Sequence, residues 1–254
     1  MSVRRLEGKA VALTGAAGGI GSLVAARMQS EGAHVTGIDR LPCKDCDDHV
    51  VADLAEPGDL ARLGERLASR RIDILVNLAG LQYFGPFEDQ SADAIRTGYL
   101  VNLVAPAALI AAVLPAMRAR RSGQIVNIGS VMGAVNYPFF AAYSSAKAGV
   151  RGLSEGIRRE VQADGIAVTY IAPRAVRTAF NNAKVNAFMD ATGMKADDPA
   201  DVADRIVDAI ARRRKDVSIG APERFFTRLN ALLPRLVDAG LAGQASKARA
   251  LFPS

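Results

Sequence analysis

Cysteine and histidine are scarce in this chain of 254 residues, which has two of each. The cysteines, Cys43 and Cys46, form a C-x-x-C in a loop that follows a predicted strand. A zinc site would need two further ligands, and only His49 and nearby aspartates stand close in the sequence. A thioredoxin-like motif would begin a helix. We therefore expect no metal site and two reduced thiols, which fits a cytoplasmic protein because structural disulfides are rare there.

Three further features are missing. The N-terminal residues include basic side chains but no apolar run of signal-peptide length. The net charge of +6 comes from basic residues scattered along the chain, so we expect no nucleic-acid partner. The longest uncharged run, 99–117, is interrupted by Asn102, Pro106 and Pro115. We interpret it as a buried helix of the core or of a subunit interface, not as a membrane span.

The chain does contain a regular alternation of β-branched runs and helical patterns. Strands are predicted at 9–15, 33–39, 49–53, 72–80, 123–130, 166–173 and 216–220. Helices are predicted at 19–32, 57–71, 91–119, 139–164 and 199–215. Continuous apolar strands that alternate with helices favour a parallel sheet covered on both faces. The expected fold is α/β: one doubly wound Rossmann-type domain, 1–222, with a parallel sheet of about seven strands, and a C-terminal amphipathic helical extension, 223–254, packed on it.

A glycine-rich segment, TGAAGGIG at 14–21, lies between the first predicted strand and helix. Gly15 allows a tight turn, while Gly19 and Gly21 let the backbone approach a pyrophosphate at the helix N-terminus. Asp39 ends the second strand, where a carboxylate bonds the adenosine ribose 2′-OH and repels a 2′-phosphate. The alternative interpretation of Asp39 is an ordinary turn residue. Arg40, beside it, is able to bind a 2′-phosphate. The sequence therefore predicts a dinucleotide site, with NAD favoured over NADP.

A tyrosine and a lysine stand four residues apart in YSSAK, 143–147, so both lie on one helix face. The ammonium of Lys147 favours the phenolate of Tyr143 and lowers the phenol's pKa, which suits a general acid/base. The alternative is a solvated helix edge. Ser130, at the carboxyl end of a predicted strand, is placed to bond a substrate oxygen or simply to form a turn.

In this order the motifs resemble the short-chain dehydrogenase/reductase family over residues 6–178. The matching elements are TGAAGGIG, Asp53 in VADL, NLAG at 77–80, Asn102 in VNL, Ser130 ending IVNIGS, and Tyr143 and Lys147. The resemblance implies that Lys147 also holds the nicotinamide ribose and that Asn102 positions a water between Lys147 and solvent. It implies catalytic roles for Ser130, Tyr143, Lys147 and Asn102. It implies cofactor contacts from Gly15, Gly19, Ile20, Gly21, Asp39, Arg40, Asp53, Leu54, Asn77, Ala79, Gly80, Tyr143, Lys147, Pro173, Val176 and Thr178.

The chain departs from the family pattern at three places. Leu78 replaces the second asparagine of the NNAG motif, which weakens the expected hold on that turn. Arg174 replaces a glycine beside the nicotinamide, where its charge either holds an acidic substrate or points to solvent. The glycine-rich last strand of many members is replaced by DVSIGAPERFF and an amphipathic tail. A homodimer or homotetramer is expected, and the tetramer has the weaker support.

The segments that follow Gly80, Ser130 and Pro173 are rich in Phe, Tyr, Met and Val. They suit an apolar, lipid-like or ring substrate, or else they belong to the core. We therefore expect an NAD(P)-dependent oxidoreductase that interconverts a secondary alcohol and a ketone. The alternative is a non-catalytic dinucleotide-binding redox sensor or scaffold. The tail, with Phe225, Phe226 and basic residues, is expected to form a lid or a subunit contact, with membrane-surface contact ranked second.

Overall fold

The computed structural model describes residues 4–252, without the side chains at 221–225 and 228, and contains seven strands in that range. They are β1 (Ala10–Thr14), β2 (His34–Asp39), β3 (Asp48–Val51), β4 (Ile74–Asn77), β5 (Gly123–Ile128), β6 (Ile166–Ala172) and β7 (Asp216–Ser218). All neighbours pair in parallel, in the order β3-β2-β1-β4-β5-β6-β7. The order reverses between β1 and β4, which is where a doubly wound fold binds its ligand. The predicted fold class is confirmed.

The helices of the described region follow the strands in the expected alternation. They are α1 (Gly21–Ser30), α2 (Pro57–Ala68), α3 (Ala92–Tyr99), α4 (Ala105–Ala119), α5 (Ala141–Glu160), α6 (Ala183–Thr192), α7 (Pro199–Ala211), α8 (Ala221–Leu232) and α9 (Pro234–Arg249).

Side chains of β1 alternate between the two faces of the sheet, as a strand's pleat requires. Val11 and Leu13 join a core cluster with α1 and α7, while Ala12 joins another with α2 and α4. Helices therefore cover both faces, and the strand ends between them are left for a site.

The predicted helix 91–119 is broken into three parts. α3 and α4 are joined by a π-helical turn, Leu100–Val104, that contains Asn102. The Asn102 side-chain amide donates to the Gly98 carbonyl at 2.9 Å, which satisfies a backbone group that the wider turn leaves open. By length and composition the stretch Ala92–Ala119 is long and apolar enough to cross a membrane, but half of its most apolar part is buried inside the protein.

Helix α6 was not expected from the sequence. Its N-cap, Asn182, accepts a hydrogen bond from the Val185 amide at 2.9 Å, and Gly193 ends it with φ of 65°. An asparagine N-cap and a glycine at the left-handed end are both helix signals, and ten residues between them fit a short helix. The helix lies over the same end of the sheet as α9, which it contacts.

The C-terminal extension folds as α8 and α9. Asn230 donates to the Ala134 carbonyl at 2.8 Å, and Phe252 stacks on Phe139 with ring centroids 5.8 Å apart. Leu232, Leu233 and Leu236, where the two helices meet, are exposed. Phe225 of the predicted tail and two of its basic residues, Arg224 and Arg228, lie outside the described side chains.

The expectation of two reduced thiols is wrong, because Cys43 and Cys46 form a disulfide. The loop after β2 curls beneath Gly37 and brings their Cα atoms to 5.7 Å, within the range that a disulfide spans. The pairing removes the support that free thiols gave to a cytoplasmic location. Among residues 4–252 no group of three or more His, Cys, Asp or Glu is placed to hold a metal ion.

Candidate active site

A cavity of about 1100 Å³ opens at the carboxyl ends of the strands. Its walls come from the turns after β1, β4, β5 and β6, and from α6 and α9. The predicted site residues that line it are Gly15, Gly19, Ile20, Gly21, Asp39, Arg40, Asp53, Leu54, Ala79, Gly80, Ser130, Tyr143, Lys147, Pro173, Val176 and Thr178. Asn77 and Asn102 do not line it.

The glycine turn after β1 is shaped for close approach. Gly15 has φ of 73°, a region that L-residues rarely adopt, and a Cβ on it would lie 2.8 Å from the Ala79 amide nitrogen. A Cβ on Gly21 would lie 1.9 Å from the Gly15 carbonyl oxygen. In the described part of the chain no partner is recorded for the amides of Gly19 and Ile20, just before α1. Free amides at a helix N-terminus bind anions such as pyrophosphate, so this cradle fits a dinucleotide.

Asp39, at the end of β2, has a structural task as well as a place in the cavity. Its carboxylate accepts from the Ala17 amide at 3.1 Å and from the Leu41 amide at 3.3 Å. The carboxylate thus ties the glycine turn to β2 and still borders the cavity, together with exposed Arg40. Both sequence interpretations of Asp39, turn residue and ribose ligand, are compatible with this position.

The turn after β4 is held by a residue that the sequence analysis did not single out. The Thr14 hydroxyl accepts from the amides of Leu78 and Ala79 at 3.0 and 3.1 Å. This bond replaces the hold that the missing asparagine at 78 was expected to provide. The Asn77 side chain turns inward and donates to Asn127 at 2.8 Å, so it supports the turn from beneath the sheet end.

Helix α5 brings Tyr143 and Lys147 to the middle of the cavity, and both are buried. The Lys147 ammonium donates to the Ile128 carbonyl at 3.0 Å, at the end of β5. It lies 5.8 Å from the centroid of the Tyr143 ring. A buried pair at the strand ends rules out the solvated helix edge.

The expected lowering of the phenol's pKa is not what the structure shows. Burial raises the pKa of Tyr143 to about 12, against the opposite effect of a hydrogen bond with Ser130. Burial also lowers the pKa of Lys147 to about 8. Removal of water penalises the charged form of each group more than the pair's proximity favours it. The sequence spacing alone could not show this, because it does not reveal the depth of burial.

Ser130 begins a single 3-10 turn, Val131–Gly133, directly after β5. Its hydroxyl oxygen accepts from the Met132 amide at 3.1 Å, which leaves the O–H free to donate elsewhere. The serine is thus a turn former and also a donor that faces the phenol and the cavity.

Asn102 clamps a loop and does not reach the main cavity. Its amide donates to the Leu81 carbonyl at 2.7 Å, and its oxygen accepts from the Leu81 amide at 3.2 Å. It borders a second cavity of about 340 Å³, and Tyr143 and Gln82 line both cavities. A Cβ on Gly80 would lie 3.0 Å from the Asn102 oxygen and 3.6 Å from the Lys147 nitrogen, so glycine is what lets these groups approach.

The segment after β6 closes the cavity from the side of α1. Pro173 accepts from the Val131 amide at 3.0 Å, and Val176 forms a parallel bridge with Asp197. The Thr178 side chain lies against Gly19, where an added Cβ would stand 3.2 Å away. Arg174 forms an ion pair with Asp197, with a nitrogen–oxygen distance of 2.9 Å. Its charge is therefore engaged within the chain and does not simply point to solvent.

The far end of the cavity is apolar. Phe140 and Phe188 line this end, and Phe84 packs against both, with the Phe84 and Phe140 ring centroids 4.6 Å apart. The sequence analysis indicated the segments after Gly80 and Ser130 but missed the later contributors. These are Met189, Thr192, Lys195 and Gln244, from α6, the loop after it and α9. The cap residues of α6, Asn182 and Gly193, were the sequence signals that could have indicated Met189 and Thr192.

A model of the short chain dehydrogenase family matches residues 9–188, well over half of the chain. The chain belongs to the short-chain dehydrogenase/reductase family. One relative, dehydrogenase/reductase SDR family member 7B of Bos taurus, is 33% identical over 209 residues. The match covers 79% of this chain and 64% of the cow protein, so the chain spans less than two thirds of that relative's length.

Solved structures of the family share this fold. A short-chain dehydrogenase from Sphingobium yanoikuyae in complex with NADPH has a TM-score of 0.77 and 29% identity, covering 91% of this chain and 96% of its own. 4-hydroxyisoleucine dehydrogenase complexed with NADH has a TM-score of 0.73 and 26% identity, and the match covers 83% of this chain and 96% of that enzyme. The bulky-bulky ketone specific alcohol dehydrogenase of Comamonas testosteroni has a TM-score of 0.74 and 28% identity, and the match covers 91% of this chain and 94% of that enzyme. The chain therefore has the fold of family members whose structures hold NADPH or NADH.

Proposed function

We propose that this protein interconverts a secondary alcohol and a ketone on a largely apolar, lipid-like or ring substrate, with NAD preferred over NADP. The observation that carries the proposal is the position of Tyr143. Its buried side chain borders the same cavity as the glycine cradle and packs in the cluster that supplies Phe140 and Phe188 to the cavity wall. A proton donor at that position is placed between a dinucleotide and an apolar substrate.

The chain's own residues hold the cofactor in this proposal. The amides before α1 take the pyrophosphate, Asp39 the adenosine ribose, Lys147 the nicotinamide ribose and Thr178 the carboxamide, and all of them border the cavity. When bound, the dinucleotide supplies the hydride acceptor for oxidation or the hydride donor for reduction.

Tyr143 moves the proton. In oxidation its phenolate oxygen takes the proton of the substrate hydroxyl, and in reduction its hydroxyl gives a proton to the carbonyl oxygen. The Ser130 O–H donates to the same substrate oxygen and orients it, since the serine's own acceptor position is occupied by the Met132 amide. The Lys147 ammonium, anchored on the Ile128 carbonyl, stabilises the phenolate when the tyrosine has lost its proton.

Asp39 supports the preference for NAD. Its carboxylate borders the adenosine end of the cavity and would repel a 2′-phosphate. Arg40 beside it would attract one, and the similar structures include complexes with NADPH and with NADH. The preference is tested directly by comparing kcat/KM for the two cofactors with the same alcohol.

The apolar far end of the cavity supports the choice of substrate. The similar Comamonas enzyme is specific for bulky ketones, and a cavity of about 1100 Å³ has room for both a dinucleotide and a ring system. A panel of cyclic and lipid-like secondary alcohols and ketones, followed by nicotinamide absorbance, would identify the substrate class.

The Tyr143→Phe variant tests the role of the phenol. We expect turnover to fall by about a thousandfold, which is the usual contribution of a general acid/base. Affinity for NAD, measured by calorimetry, should stay within about twofold because the ring remains. If neither wild type nor variant turns over any panel member while both bind NAD, the alternative of a non-catalytic dinucleotide-binding module gains the support.

Assembly and location complete the proposal. We propose a homodimer or homotetramer that resides in the cytoplasm. Sedimentation of the purified protein tests the first statement, and fractionation of cells tests the second.

A further inference from the structure

Two glutamines at the substrate end of the main cavity stand out by their hydrogen bonding. Gln82 lies two residues after Gly80, and Gln244 lies on α9 in the C-terminal extension. The side-chain oxygen of each is buried, and among the residues that the structure describes neither oxygen has a hydrogen-bond partner. Buried polar atoms are nearly always paired in folded proteins, so an unpaired one beside a ligand cavity calls for an explanation.

The neighbouring polar side chains are bonded within the chain or exposed to solvent. The Asn181 amide donates to the Val176 carbonyl at 2.9 Å, and the Thr192 hydroxyl donates to the Phe188 carbonyl at 2.7 Å. Arg174 is held by Asp197, and Lys195 is exposed. Among the described residues that line the main cavity, the two glutamines are the ones with a buried side-chain oxygen that has no partner.

The apolar surroundings of the two glutamines strengthen any hydrogen bond that they form with a ligand. Phe140, Phe188 and the methionines of the same cluster form an apolar wall. In such a setting a polar group without a partner is costly, and a hydrogen bond to a ligand is strong. A rotation about the last side-chain bond exchanges the amide oxygen and nitrogen at little cost when neither is held.

We propose that Gln82 and Gln244 are specificity residues that bind a second hydroxyl group of the substrate, one that is not itself oxidised. A hydroxyl both donates and accepts, so it satisfies a carboxamide in either orientation. The inference rests on the proposed function and narrows it: the substrate is an apolar secondary alcohol or ketone that carries a further hydroxyl. It also gives the C-terminal extension a role in recognition, since Gln244 comes from α9.

The test compares two matched pairs of alcohols. One pair is isopropylcyclohexanol and its analogue with a tertiary hydroxyl on the isopropyl carbon. The other is a decahydronaphthol with a methyl group on its distal ring and its analogue with a tertiary hydroxyl on the methyl-bearing carbon. A tertiary hydroxyl has no hydrogen on its carbon and is not oxidised, so it reports recognition alone. Binding is measured by calorimetry on protein saturated with NADH, in which the alcohols do not turn over.

Wild type should bind the hydroxylated member of at least one pair about tenfold more tightly than its partner, which is what one well-placed hydrogen bond supplies. In the Gln82→Leu/Gln244→Leu double variant the two members should bind within about twofold of each other. Gln244→Met alone, a change at the cavity wall, should reduce the preference part-way and guards against a double variant that does not fold. Retained NADH affinity shows that each variant is folded.

Thr192→Val is the matched control. It removes a hydroxyl from the same cavity, but that hydroxyl is already bonded within α6, so the preference should stay near tenfold. Equal binding of the members of both pairs in wild type overturns the inference, as does a preference that survives in the double variant.

A turnover assay on the same alcohols, with NAD and with NADP, keeps the two proposals apart. Selective binding without any turnover upholds the glutamine site and refutes the proposed reaction. Oxidation of both members of each pair with equal efficiency upholds the reaction and refutes the glutamine site.

Discussion

The two ends of the cavity are built by different means. The cofactor end is formed by strand ends and turns of the first half of the fold, and its shape depends on backbone: Gly15, Gly21 and the Thr14 bond to the turn after β4. The substrate end is formed by side chains from the 3-10 turn after β5, from α6 and from α9. One fold can therefore keep its cofactor while it changes its substrate, because the two ends share little except the residues around Tyr143.

The largest effect is expected at the cofactor end, from Gly21→Ala. The new Cβ would stand 1.9 Å from the Gly15 carbonyl oxygen, so the backbone of the cradle must move. We expect NAD affinity, measured by calorimetry, to fall by about a hundredfold or more, because amides that are misplaced lose the pyrophosphate.

Gly156→Ala is the control for that substitution. Gly156 lies in α5, where an added Cβ meets nothing within 4 Å. The change should stabilise the protein by about 0.5–1 kcal/mol and leave NAD affinity unchanged. Unchanged affinity in Gly21→Ala would show that the cradle does not hold the cofactor and would remove the contrast between the two ends.

The boundary between the ends should respond to pH through Lys147. Its folded-state pKa of about 8 lies below the ordinary value of 10.5, so between pH 8 and 10 the unfolded chain binds more protons than the folded one. The free energy of unfolding contributed by this residue should therefore rise with pH, by at most about 2–3 kcal/mol. Above pH 10 the raised pKa of Tyr143 acts in the opposite direction.

Urea unfolding of the protein without added cofactor, at pH 7.5 and at pH 9.5, checks this dependence. The difference in unfolding free energy between wild type and Lys147→Met should shift in favour of wild type at the higher pH. A difference that is the same at both values would mean that the lysine is not desolvated as the structure indicates.

The smallest of these effects is expected at the substrate end, from Phe252→Ala. The Phe252 ring packs against Phe84 and Phe139 with centroids 5.2 and 5.8 Å apart, and the Lys184 ammonium lies 4.3 Å above it. Its loss should loosen α9 over the cavity and raise KM for an apolar substrate by about tenfold, which is what one or two aromatic contacts are worth. NAD affinity should not change, and if it falls as much as KM rises, the two ends are not independent.

The same contrast explains what the sequence could predict. The sheet and the glycine cradle follow from local patterns, such as the apolar run of β4 and the spacing of Gly15, Gly19 and Gly21. Gln244 could not be predicted as a site residue. It lies more than a hundred residues after Tyr143 in the sequence and reaches the cavity only through the packing of α9. Two errors have the same cause. The disulfide of Cys43 and Cys46 and the raised pKa of Tyr143 depend on chain path and depth of burial, which spacing does not encode.

The claim at the centre of this account is that the Tyr143 hydroxyl exchanges a proton with the substrate at the meeting point of the two ends. A crystal structure with NADH and a bound secondary alcohol measures it most directly. The account predicts the substrate oxygen within hydrogen-bond distance, about 3 Å, of both the Tyr143 and Ser130 hydroxyls. A substrate oxygen held by other groups, with the Tyr143 hydroxyl out of reach, would contradict it.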